Sequence, residues 1–210
     1  MPRQPRIFIP GLSLHVIQRG NNRIQIFRTA TDYEWFLALI RSAAADHGVD
    51  IHGYVLMTTH YHLIATPSHE RALRLTMQEV DGLYTKYFNR EHGRIGTLWN
   101  GRYRGLAIRD ERYWLTCLRY IEQNPVRARM VSSPEAYRWS SHHIHASGAP
   151  SEWLAPHHAY LSLGPTPEHR QAAYKALCAT ALIDTELALL RQQRPPRPAK
   201  PVSDTCLTPV

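Results

Sequence analysis

The stretch GYVLMTTHYHLIATP, residues 53–67, decides the fold of this chain. Its two apolar runs read as strands over 49–57 and 60–66, joined by the short turn Thr58-Thr59. His60 and His62 are separated by one residue. Strand side chains alternate faces with a period of two, so both imidazoles point the same way and Tyr61 points to the other face. Two imidazoles side by side on one face can grip one metal ion.

Working outward, residues 13–19 predict a first strand that ends at the turn-forming cluster Gly20-Asn21-Asn22. Thr31 or Asp32 caps a helix running to about His47, with Trp35, Phe36, Leu39 and Ile40 at helical spacing, and Gly48 ends it. Beyond the central hairpin, a second helix is expected from about Arg71 to His92, on the apolar stripe Leu73, Met77, Val80, Leu83, Tyr84 and Tyr87. A glycine-rich loop follows over 93–101, and then a fourth strand over 103–108. A third helix starts at Asp110 and is expected to reach Asn124, stopped by Pro125. Strand, helix, strand, strand, helix, strand is the α+β, ferredoxin-like split βαβ pattern: an antiparallel sheet with helices on one face. The helix after it is an addition.

Later signals are weaker. Residues 137–141 predict the start of a short helix, and 168–193 read as helical. The end of the chain, from residue 195, is proline-rich and basic and is expected to be a disordered tail. The expected division is therefore a main domain over 1–145, a helical extension over 146–194 and the tail over 195–210.

Bulk properties narrow the function classes. The 210 residues suffice for one good-sized domain plus a tail, and 43% hydrophobic residues suffice for an ordinary core. No apolar run approaches the roughly 20 residues that span a bilayer, and the N-terminus lacks the apolar centre of a signal peptide. A cytoplasmic protein is expected. Three widely spaced cysteines, Cys117, Cys178 and Cys206, support neither a zinc ribbon nor a disulfide framework. A net charge of +8 favours a polyanionic partner, nucleic acid above all.

The chemistry-bearing residues come from the hairpin and the third helix. Two imidazoles need a further ligand, and Asn124 is the candidate: an amide oxygen is a hard donor suited to Mg²⁺ or Mn²⁺. Tyr120 and Asn124, four apart on one helix, share a face. If that face packs over the strand of His60 and His62, the phenol lies beside the ion. A phenol with a pKa near ~10 is a poor nucleophile by itself. Next to a cation that polarises a scissile phosphate, Tyr120 could attack and form a covalent phosphotyrosine, conserving the bond energy for rejoining. Five histidines at 142, 143, 145, 157 and 158 read as surface residues.

Six segments then carry a resemblance: HVIQRGNN (15–22), IFRTATDYEWFL (26–37), GYVLMTTHYHLI (53–64), GTLWNGRYR (96–104), RYIEQNPVRA (119–128) and YRWSS (137–141). Over about residues 5–145 the chain resembles the single-strand tyrosine transposases of the HUH class, IS200-like, and within them the REP-associated branch. The resemblance implies a ferredoxin-like fold, His60, His62 and Asn124 as metal ligands, and Tyr120 as nucleophile. It also implies cleavage and rejoining of single-stranded DNA at REP-type palindromic hairpins, with the 5′ phosphate kept on tyrosine. The implied partner is hairpin DNA and the implied location cytoplasmic and nucleoid-associated, with the protein a monomer or homodimer and no membrane partner.

Two positions depart from the pattern. The middle residue of the HUH motif is Tyr61 instead of an aliphatic side chain, and Thr58-Thr59 stand where relatives often carry Pro-Asn. Neither removes a ligand. For DNA contact, Arg19, Asn21, Asn22 and Arg23 cluster after the first strand. Arg102 and Arg104 alternate with Tyr103 in a pattern suited to phosphate contact and base stacking. Trp99 is a candidate stacking platform, and Arg3 and Arg6 a basic arm. The rival reading is a non-catalytic binder of structured DNA or RNA with the same fold; a water-using phosphodiesterase is a third, less favoured for want of a clearly placed base.

Overall fold

Strand register organises everything else in the molecule. The computed structural model describes residues 8–180 and residue 182. Arg3 and Arg6, the expected helical stretch past 182 and the tail over 195–210 lie outside the described residues. Strands β1 (Leu14–Arg19), β2 (Val49–Met57), β3 (His60–Pro67) and β4 (Arg104–Ala107) form one sheet in the order β2-β3-β1-β4. Every pairing is antiparallel. With helix α1 (Ala30–His47) between β1 and β2, and α2 (Ala72–Glu91) between β3 and β4, this is the expected ferredoxin-like topology.

Local signals explain the boundaries. Thr29 and Asp32 form a reciprocal capping box at the start of α1, and Gly48 closes it in the left-handed conformation, φ 68°. Thr29 is thus the cap in place of Thr31 or Asp32. The alternation of β3 sorts its side chains: Tyr61, Leu63 and Ala65 join the core beneath α1 and α2, while Ile64 joins a second core on the opposite face.

Helix α3 (Glu111–Glu122) covers that second face with Trp114, Cys117, Leu118, Tyr120 and Ile121. Gly53 lets it approach: a Cβ there would sit 2.5 Å from Leu118 Cδ1 and 3.3 Å from Ser141 Oγ. Pro125 does not stop a helix at Asn124 as expected. Helix α3 ends at Glu122, and Asn124 opens a new turn, α4 (Asn124–Arg127), with the proline at its start. A proline in the first turn loses no hydrogen bond and arrives with its φ already helical, so it begins a turn here.

The C-terminal part also departs from expectation. Residues 137–141 are not themselves helical but lead into the expected short helix, which begins at His142 with Ser141 as its N-cap. They run along the outer edge of β2, where Leu56 N donates to Trp139 O at 2.9 Å and Ser141 N to Tyr54 O at 3.0 Å, so edge groups find backbone partners. Helices α5 (His142–Ser147), α6 (His158–Leu161) and α7 (Pro167–Ala179) follow. The boundary expected at 145/146 falls inside α5, and Ala146, Ala159 and Tyr174 share the second core with α3. Among the described residues no helix is long and apolar enough to cross a membrane.

Candidate functional site

On the α3 face of the sheet, β3 pairs His62 with Ile17 of β1 and with Val55 of β2, and His60 with Arg19 and Met57. Directly paired residues share a face, so His60, His62 and Arg19 project toward the same side. The two imidazole centroids lie 5.1 Å apart. His60 Nδ1 is 3.1 Å from Thr59 Oγ1.

Tyr120, on α3, meets this pair from above. Its ring centroid is 6.2 Å from that of His62 and approaches edge-on. Only 7% of the tyrosine is exposed. The Arg127 guanidinium of α4 lies over the phenol ring, 4.0 Å from the centroid, and Arg127 Nη1 donates to Tyr120 O at 3.4 Å. Asn124 is buried at the start of α4, where its Nδ2 donates to Ile121 O at 3.2 Å. That bond orients the amide.

Burial above all, with the Arg127 and Arg19 charges and the repulsion that His15 and His60 would exert if protonated, holds the His62 imidazole well below its ordinary pKa. A neutral imidazole is the form that binds a cation. Among the described residues no group of three or more His, Cys, Asp or Glu side chains is arranged to hold a metal. The candidate set would be two imidazoles, which suit borderline transition ions, and one amide oxygen, which suits Mg²⁺ or Mn²⁺, with coordination positions left over.

The surrounding candidates divide. Arg104 pairs with Ile17 and is exposed on the site face, and Arg102 is exposed in the preceding loop. Asn22 and Arg23 are exposed at a turn with positive φ, 49° and 59°, and Asn21 N donates to Leu98 O at 2.8 Å. Two stacking expectations are corrected. Trp99 is only 8% exposed, donating its indole N–H to Asp81 O at 3.0 Å and packing edge-on against Tyr61. Tyr103 is buried on the opposite face, stacked on Phe8 with centroids 6.3 Å apart. Neither ring offers a face to a base. Tyr61 lies where alternation predicts, buried, its hydroxyl donating to Asp81 Oδ1 at 3.1 Å.

Sequence reasoning missed three residues. His15 of β1 lies 2.7 Å from His62, Nε2 to Nδ1; finding it needs the strand register, which composition does not supply. Arg127 was hidden by the expectation that Pro125 ends the helix. The third is Glu122, two residues past Tyr120 and fully buried. It accepts from Ser141 Oγ, His142 Nδ1, His145 Nδ1 and Tyr174 OH. The expectation of surface histidines is thereby corrected for His142 and His145, which are buried because Glu122 must be solvated by protein donors. Burial alone would raise the Glu122 pKa, but His145 and His142 bring it down to about 2. Burial alone would lower that of His142; its bonds to Cys178, Glu122 and Glu135 instead raise it to about 10.

Residues 9–124, more than half of the chain, match the family model described as transposase IS200 like, and the chain belongs to that family. None of the curated proteins matches the sequence significantly. The fold is similar to that of a REP-associated tyrosine transposase bound to a REP hairpin, at 23% identity and a TM-score of 0.58, covering 75% of this chain and 93% of that one. A candidate transposase from Deinococcus radiodurans R1 superposes with 18% identity and a TM-score of 0.39, over 61% of this chain and 92% of that one. The tRNA(His) guanylyltransferase of Saccharomyces cerevisiae superposes with 12% identity and a TM-score of 0.43, over 85% and 82%. Likenesses at these last two levels carry no functional argument.

Proposed function

We propose that this chain cleaves and rejoins single-stranded DNA at REP-type palindromic hairpins, with Tyr120 as the nucleophile. The observation that carries the reading is the placement of the Tyr120 ring 6.2 Å from His62, over the face that also presents His60 and Arg19. The phenol oxygen gives up its proton and attacks the scissile phosphorus, the bond to the 3′ oxygen breaks, and that oxygen takes up one proton and leaves as a hydroxyl, so the proton count is unchanged. The 5′ phosphate stays on Tyr120. Attack by a 3′ hydroxyl on this linkage reverses the step and reseals the strand.

His60, His62 and Asn124 are the residues that would hold a divalent cation, Mg²⁺ or Mn²⁺. Such an ion, when bound, supplies Lewis-acid polarisation of the phosphate. The protein contributes the rest. Arg127 holds the phenol ring from its outer face. Arg19 and Arg104, on the same sheet face, supply positive charge to the phosphates of the approaching strand, and Arg102, Asn21, Asn22 and Arg23 extend that surface.

Incubation with an end-labelled hairpin oligonucleotide and Mg²⁺ or Mn²⁺ tests the reading. A denaturation-resistant protein–DNA adduct is expected, and Tyr120→Phe abolishes it while leaving hairpin binding largely intact. Adducts on the phenylalanine variant would move the chemistry to another nucleophile. Tight hairpin binding by the wild type with no adduct under either metal would place the chain among non-catalytic binders.

A further inference from the structure

The most unusual contact near the site is one between two histidines on different strands. His15 of β1 pairs in register with Ile64, and His62 pairs with Ile17, two residues along. His15 and His62 are therefore diagonal neighbours on one face, and their rings stack with centroids 5.0 Å apart at 24°. His15 Nε2 lies 2.7 Å from His62 Nδ1, and both residues are 2% exposed. Each ring also turns an edge to Tyr120, at 6.1 Å for His15 and 6.2 Å for His62.

We infer that His15 is a positioning residue for His62, holding that imidazole in the tautomer and orientation that present its Nε2 to a divalent cation beside Tyr120. The inference rests on the metal-assisted reading above and adds a residue to it. In one hydrogen bond between imidazoles the roles are divided: one nitrogen carries the proton and the other accepts it. A ligand nitrogen needs its lone pair. When His62 Nδ1–H donates to His15 Nε2, the lone pair of His62 stands on Nε2, open to a cation. The reverse arrangement would put a proton on His62 Nε2 and close that nitrogen to a cation. A partner on the second nitrogen of a metal-binding histidine, fixing tautomer and ring angle, is a common requirement of such sites. His15 is suited to the task by its seat on a central strand, between β3 and β4, where the backbone is paired on both sides.

Nitrogen-resolved NMR of the imidazoles in the metal-free full-length protein gives the first test. The expected result is a His62 proton on Nδ1 in the wild type and a mixture of tautomers in His15→Leu. A His62 proton on Nε2 in the wild type overturns the inference. The second test is Mn²⁺ affinity, read by electron paramagnetic resonance of the free ion. His15→Leu is expected to weaken binding roughly 10–100-fold. His15→Gln, whose amide oxygen reaches the position of the lost nitrogen, restores most of the affinity. Equal affinity in all three proteins overturns the inference. If His15→Leu does not fold, the wild-type tautomer and the His15→Gln affinity still decide. Wild-type Mn²⁺ affinity no better than that of a His60→Ala/His62→Ala variant overturns the metal-assisted reading itself. That failure is told apart from a failure of His15, because the tautomer is read without metal.

Discussion

The Glu122 carboxylate accepts a hydrogen bond from His145 Nδ1 at 2.8 Å, and through that contact the C-terminal helices grip the helix that carries Tyr120. The grip has further points. Tyr174 of α7 donates to the same carboxylate at 2.7 Å. At the end of α3, Arg119 Nη2 donates to Thr180 O at 2.6 Å and Gln123 Nε2 to Cys178 O at 2.8 Å. The extension thus fixes α3 on its own sheet and sets where the phenol lies relative to His62.

Removing the carboxylate should therefore cost both stability and chemistry. Breaking a buried ion pair by deleting one partner typically costs about 3–5 kcal/mol. Glu122→Leu is expected to lose stability in that range by urea denaturation. Among molecules that remain folded, adduct formation should fall more than hairpin binding, because the phenol loses its seat. Unchanged stability would remove Glu122 from its role as anchor.

The same cluster imposes a pH window. The Glu122 pKa in the folded protein, about 2, is below its ordinary value of 4.5, so its contribution is complete above 4.5 and is lost as pH falls toward 2. That of His142, about 10, is above its ordinary 6.5, so its contribution is complete below 6.5 and is lost as pH rises toward 10. Denaturant midpoints should be highest between about pH 4.5 and 6.5 and decline on both sides. In Glu122→Leu the acid limb should flatten; an unchanged acid limb would assign it to other carboxylates.

Gly53 tests how closely α3 must approach. A Cβ at this position meets Leu118 Cδ1 at 2.5 Å. Gly53→Val should destabilise the fold by about 1–3 kcal/mol, the usual cost of overpacking. The displaced helix should also slow adduct formation. Gly53→Val with wild-type melting and adduct rates would show that α3 yields freely.

Trp99 and Arg104 should separate cleanly by assay. Trp99→Ala empties a buried indole site and is expected to cost about 3–5 kcal/mol of stability. Arg104→Ala, at an exposed position, should leave melting unchanged. It should weaken hairpin binding and lower the slope of log affinity against log salt by roughly one. A Trp99→Ala protein of normal stability that binds DNA poorly would reinstate the indole as a stacking surface.

Arg127 gives a smaller, sharper effect. Its stacking on the phenol is worth about 0.5–1 kcal/mol at an exposed position. Arg127→Ala should therefore leave the melting temperature nearly unchanged while reducing the rate of adduct formation on the labelled hairpin. An unaltered rate would confine Arg127 to the surface.

Local order determined what the sequence displayed directly. The βαββαβ succession, the common face of His60 and His62 and the opposite aim of Tyr61 follow from periods of two and 3.6 and from short-range caps and turns. Residues 119–124 displayed the phenol and the amide, but not the break that puts Asn124 at the start of α4 instead of on the helix of Tyr120. Long-range pairing determined the rest. His15 reaches His62 only through the register that sets Ile17 across from it, and Glu122 finds donors 19 to 52 positions away along the chain. Trp99, in the glycine-rich loop, and Tyr103, at the start of the expected fourth strand, are buried because packing against Asp81, Tyr61 and Phe8 removes apolar rings from water. Such contacts join residues distant in sequence, so no window of the chain encodes them; they exist only once sheet register and helix packing bring their partners together.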